Sequence, residues 1–200
     1  QYNPRTLSTN GQHLYLYENF GQILKLNPST LETAATYKLN ELLPGISYND
    51  VHIQVSNNNK LLVTTRNYYA GDTLYVVDMN TRRLEFKHGQ YSYSWDWPGS
   101  TISPDGKMVT SYNFVFRHRA DGSWKKEQVP PSSYGTIRYH PSEPLYFLYG
   151  RTPVTIYSTE DDAVVHSFTL GDNVYPVTID PATGYLVASS HPFMYVYDIA

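Results

Sequence analysis

Ile102-Ser103-Pro104-Asp105-Gly106-Lys107-Met108-Val109 decides how this chain is read. It is a turn between two short apolar runs, and its context returns four more times. Ser8-Thr9-Asn10-Gly11-Gln12 and Ser56-Asn57-Asn58-Asn59-Lys60 precede it, while His140-Pro141-Ser142-Glu143-Pro144 and Asp180-Pro181-Ala182-Thr183-Gly184 follow it. The copies fall roughly 40–50 residues apart, the period of β-propeller blades.

Outward from each copy, four short strands fit one period, named A to D from the centre of a blade to its rim. The first period predicts strands at 4–8, 13–17, 22–26 and 36–39, and the second at 51–55, 60–65, 73–78 and 83–87. The third predicts 100–102, 107–112, 114–119 and 124–129, and the fourth 135–139, 145–149, 154–158 and 164–170. A second set of turns separates C from D: Asn27-Pro28-Ser29-Thr30, Met79-Asn80-Thr81, Ala120-Asp121-Gly122-Ser123 and Thr159-Glu160-Asp161-Asp162. These carry the turn-forming Asn, Asp, Gly and Pro. One stretch competes with the frame: Leu31, Ala35, Leu39 and Leu42 have helical spacing across a predicted D strand.

The expected fold is therefore all-β, a propeller of four-stranded antiparallel blades forming one domain. The blades span about 4–45, 46–96, 97–132 and 133–173, with a partial fifth at 174–200. The fifth predicts strands at 177–179, 185–188 and 195–198, and Ala200 comes before any D strand. Two completions stay open: a five-bladed ring, or a segment of a larger ring of about seven blades. The segment is favoured, because folded proteins avoid leaving a strand edge bare. Gln1 is not an initiator Met and opens no signal peptide, so the start reads as a processed end or the interior of a longer protein.

Composition narrows the function. A net charge of −3, with no basic run beyond Arg82-Arg83 or Lys125-Lys126, argues against nucleic acid as a partner. Cysteine is absent, which removes disulfides, thiolate metal sites and thiol nucleophiles. No apolar stretch is long enough for a transmembrane segment. Tyrosine is the outlier, at 20 of 200 residues, more than strand propensity alone accounts for.

The Ser103-Pro104-Asp105-Gly106-Lys107 unit, with strands ending Val76-Val77-Asp78 and Val196-Tyr197-Asp198, resembles bacterial propellers of the YncE/YVTN, quinoprotein-dehydrogenase-like type. The likeness covers the chain as a blade consensus. It implies a bacterial protein exported to the periplasm or cell surface, some members being lipoproteins. It carries over no catalytic residue, and nothing identifies quinone ligands, so no cofactor is expected. WD-repeat propellers are less similar: Trp95-Asp96 and Trp97 precede an A strand instead of ending a C strand.

In a propeller, B-to-C and D-to-A loops open on one face, while A-to-B and C-to-D turns open on the other. The first set holds the aromatics. The candidate ligand-binding residues are Tyr48, Asp50, Arg66, Tyr68, Tyr69, Tyr93, Trp95, Asp96, Trp97, Tyr112, Tyr134, Arg151 and Tyr175. Tyr and Trp join a large apolar face to a polar tip, which suits a glycan, a peptide or a protein partner in a surface assembly. An alternative is a propeller glycoside hydrolase or lyase, with Asp50 and Asp96 as paired carboxylates. The seven histidines lack metal-ligand spacing, and no nucleophile turn or phosphate loop is present. The reading therefore leans to a non-catalytic binding or scaffold protein without a metal.

Overall fold

The computed structural model describes residues 6–18, 21–46, 50–67, 71–90, 100–111, 114–128, 136–149, 153–171, 175–179, 185–190 and 192–198. Within these, the side chains of 66, 67, 90, 128, 136, 149 and 175–179 are left aside. The chain divides into two compact units, 1–98 with 105–109, and 99–104 with 110–200.

The architecture is all-β, a succession of propeller-like blades, each a meander of antiparallel strands. The first sheet holds β1 (Thr6–Thr9), β2 (Leu14–Glu18), β3 (Gln22–Leu26) and β4 (Thr33–Lys38), followed by the single helical turn α1 (Leu39–Leu42). The second holds β5 (Val51–Val55), β6 (Lys60–Asn67), β7 (Gly71–Asp78) and β8 (Arg83–Gln90). The third holds β9 (Thr101–Ile102), β10 (Met108–Ser111), β11 (Phe114–His118) and β12 (Trp124–Gln128). The fourth holds β13 (Thr136–Tyr139), β14 (Leu145–Tyr149), β15 (Val154–Ser158) and β16 (Val164–Phe168). A three-stranded sheet of β17 (Tyr175–Ile179), β18 (Leu186–Ser190) and β19 (Phe193–Tyr197) completes the list.

The contested stretch resolves into both of its readings. Residues 33–38 form the rim strand β4, paired with β3. Only then does the chain turn through α1, where Leu39 and Leu42 are buried. The Leu39 N–H donates to the Gly21 carbonyl and the Leu43 N–H to that of Leu39. The helical spacing is real at Leu39 and Leu42, while exposed Leu31 belongs to the turn before β4.

In the first unit the core lies between the first two sheets, where Tyr15, Ile23, Ile53, Leu61 and Val63 are buried and α1 adds Leu39 and Leu42. Burying aliphatic and aromatic side chains of this size contributes about 1.5–3 kcal/mol each. The edge of β5 is protected by its neighbour: Ile53 N–H donates to Thr6 Oγ1 at 3.2 Å and Val55 N–H to Ser8 Oγ at 2.9 Å. Hydroxyls two residues apart on β1 thus satisfy alternate donors that an edge strand would leave bare. In the second unit, Phe147, Val154, Ile156, Leu170, Leu186 and Ala188 form a core between the fourth and fifth sheets.

Candidate functional site

The recurring turn shows why its fourth position is so restricted. Gly11, Asn59 and Gly106 take positive φ values of 80°, 64° and 68°. At Gly106 a Cβ would lie 2.5 Å from Asn58 Oδ1 and 2.6 Å from Lys60 Cγ, so both conformation and space demand glycine. The fourth copy departs, because Glu143 precedes Pro144 and is pushed towards extended backbone. There the His140 ring stands in for the usual side chain: Nδ1 accepts from the N–H groups of Ser142 and Glu143 at 3.3 and 2.9 Å. Burial holds the His140 pKa below its ordinary value, which keeps that nitrogen free to accept.

The other described turns are similarly closed on themselves. Asn10 Oδ1 accepts from Gln12 and His13 N–H, Asn27 Oδ1 from Ser29 and Thr30, and Asp78 Oδ1 from Asn80 and Thr81. Asp121 and Asp161 accept from Ser123 and Ala163 in the same way. Both carboxyls titrate below their ordinary range, Asp121 because of Ser123 and Asp161 because of the Ala163 N–H.

Two of these turns do more. In the first unit, Asn59 Oδ1 accepts from Asn10 Nδ2 at 2.6 Å and from the buried Tyr15 hydroxyl at 3.2 Å. Its Nδ2 donates to Asn80 Oδ1 at 3.2 Å. Burial, with the nearby Tyr37, pushes the Tyr15 pKa up to about 12. Beside it, Lys60 Nζ donates to Asp78 at 2.9 Å and to Glu85. Burial opposes both charges, but the mutual hydrogen bonds win and hold Lys60 above and Asp78 below their ordinary values.

In the second unit, Asp162 (φ 58°) occupies the left-handed end of the β15–β16 turn. It accepts from the buried Tyr146 hydroxyl at 2.9 Å and from the Arg117 guanidinium. Arg117 also donates to Glu127 at 3.1 Å and to the Thr159 carbonyl at 2.5 Å. Burial, followed by the Asp162 charge and hydrogen bond, pushes the Tyr146 pKa far up. Tyr157 stacks on the same ring at 5.1 Å. These two clusters are anchors: each pins a tyrosine of a second strand to a turn.

Of the residues expected to bind a ligand, the described set contains Asp50, Arg66 and Tyr175. Asp50 is half-buried, has φ 48° and immediately precedes β5. Arg66 and Tyr175 were expected on loops and lie on strands: β6 extends past Arg66, which pairs with Asp72, and β17 begins at Tyr175. The B-to-C hairpin is therefore tighter than its aromatic composition suggests, because β6 and β7 stay in register out to Asn67 and Gly71. Tyr48, Tyr68, Tyr69, Tyr93, Trp95, Asp96, Trp97, Tyr112, Tyr134 and Arg151 lie outside the described residues.

A groove of about 500 Å³ opens in the second unit between β16 and β19, lined by Ile156, Val165, His166, Phe168, Tyr197 and neighbours. Sequence reading passed over it, since its walls are ordinary strand residues. Among the described residues no group of three His, Asp or Glu side chains could hold a metal ion. None of their helices is long and apolar enough to cross a membrane. Compared with known proteins, the chain matches no family model and no curated protein.

Proposed function

We propose that the chain is a non-catalytic binding or scaffold module that holds a glycan, peptide or protein partner through its B-to-C and D-to-A loops. The observation that carries this reading is the difference between the two ends of each sheet. At the A-to-B and C-to-D end, the turn side chains spend their acceptors on their own backbone N–H groups. Such turns have little left to offer a ligand. Recognition then falls to the opposite end, where the sequence places Tyr48, Tyr68, Tyr69, Tyr93, Trp95, Trp97, Tyr112 and Tyr134. Aromatic side chains of this kind supply contact area at low conformational cost and dominate binding hot spots. The blade consensus supports placing the protein in the periplasm or at the cell surface of a bacterium.

The test is a glycan and peptide array probed with the purified chain, alone and as Trp95→Ala and Trp97→Ala. The expected result is a bound class whose affinity falls by about tenfold or more in either variant, as for a hot-spot aromatic. Equal binding by the variants sinks the proposal. Turnover of an arrayed polysaccharide, lost in Asp50→Asn, replaces it with the hydrolase reading.

A further inference from the structure

The strand β19 differs from every other rim or edge strand of the described sheets. It pairs with β18 on one side, and among the described residues no strand pairs with its other edge. Phe193, Met194 and Val196 are 63%, 71% and 63% exposed, and the strand carries no charge. Charged residues mark the rims of the first three sheets: Lys38 on β4, Arg83, Glu85 and Lys87 on β8, and Lys125, Lys126 and Glu127 on β12. Such charges are how proteins keep edges from pairing. β19 lacks that protection, and exposed Val164 and Val165 on β16 extend the apolar surface beside it.

We propose that β19 pairs antiparallel with β19 of a second copy, about a two-fold axis through Tyr195. This register sets Phe193 opposite Tyr197, Met194 opposite Val196, and Tyr195 opposite itself. No pair opposes like charges, and each brings together aromatic or aliphatic side chains, the combinations that stabilise antiparallel ladders. The same register at the charged rims would set Lys126 of β12 against itself and Lys125 against Glu127.

The groove gives the second argument. Tyr195 and Tyr197 share one face of β19, their rings 6.4 Å apart, and Tyr197 meets Phe168 of β16 at 6.5 Å. Alternation puts Phe193 on that face too. Residues directly opposite in an antiparallel pair share a face, so Phe193 of the second copy lies beside Tyr197, over the cleft lined by Ile156, Val165 and Phe168. The second copy thereby takes the place that a fourth strand holds in the other sheets, and its ring fills the groove.

The proposal is tested by sedimentation velocity over a dilution series of the chain, Phe193→Lys, Val196→Lys and, as a control, Leu31→Lys. Leu31 is equally exposed but lies in the first unit. All three substituted side chains face solvent, and circular dichroism checks that the fold is retained. The expected result is a monomer–dimer equilibrium weakened by about tenfold or more in both β19 variants and unchanged in Leu31→Lys. Hydrogen exchange should show the β19 amides becoming protected as the dimer populates. The idea is overturned by a monomer at every concentration, by a dimer indifferent to both β19 variants, by equal loss in Leu31→Lys, or by growth past the dimer. Amides on the outer edge of β19 already protected in the dilute monomer also overturn it, because another segment then holds that edge.

Discussion

The tyrosine anchors of the two units solve one problem with different chemistry. Tyr15 and Tyr146 occupy the second position of β2 and β14, both inside a core and both with a hydroxyl needing a partner. In the first unit the acceptor is the neutral amide of Asn59, in the second the carboxylate of Asp162. Both acceptors sit in left-handed backbone, where Asn and Asp are the best tolerated residues after glycine. A glycine there would relieve the backbone and orphan the tyrosine. The difference lies in what must follow: an amide needs nothing more, whereas a partly buried carboxylate needs a cation, and Arg117 supplies it.

Removing that cation should produce the largest effect. Arg117→Met strips the counter-charge from Asp162 and Glu127 together and is expected to cost about 3 kcal/mol in urea unfolding. A loss near zero would mean that the second unit holds its carboxylates by solvation, as a surface would.

Next comes the tyrosine pair itself. Tyr146→Phe removes a hydrogen bond to a charged acceptor and should cost about 2 kcal/mol, against about 1 kcal/mol for Tyr15→Phe, which loses one to an amide. Ultraviolet titration sharpens the contrast: Tyr15 should ionise near pH 12, with Tyr146 still protonated. Equal costs, or a reversed titration order, would break the comparison.

The smallest expected effect is an acid one in the first unit. The Asp78 carboxyl lies below its ordinary 3.8, held there by Lys60 and the Thr81 and Asn80 N–H groups against the effect of burial. Its contribution is therefore full above pH 3.8 and is lost as pH falls through the lower folded-state value. Asp78→Asn should remove about 1 kcal/mol at neutral pH and flatten the acid limb of a stability–pH curve. An unchanged acid limb would assign that limb elsewhere, with Glu127 the first group to test, since Lys125 and then the neighbouring guanidinium hold it low.

The strands were legible because alternation and turn residues are local signals. β3, β5, β14 and β15 lie where the repeat predicts them, and most of the rest shift by one or two residues at their ends. The anchors were not legible. Tyr15 reaches Asn59 across 44 positions, whereas Tyr146 reaches Asp162 across 16, so no fixed spacing announces the device. A usable signal existed in the shared Leu-Tyr start of β2 and β14 and in turn positions filled by Asn or Asp instead of glycine. For the candidate ligand site, composition marked out the loops, but a strand such as β6 can run on into what composition marks as loop. Backbone pairing follows the register of the facing strand, and that strand is a separate stretch of sequence.

By itself, then, the sequence determined the repeating meander, the positions of its turns and the neutral character of β19, because each depends on residues close in the chain. Only the tertiary structure decided which turn each buried tyrosine would grip, that Arg117 must serve Asp162, and that Ile156, Val165, Phe168 and Tyr197 would wall a single groove. Those outcomes depend on which faces meet when sheets stack, and packing sets that meeting at ångström tolerance with partners that local pattern does not name.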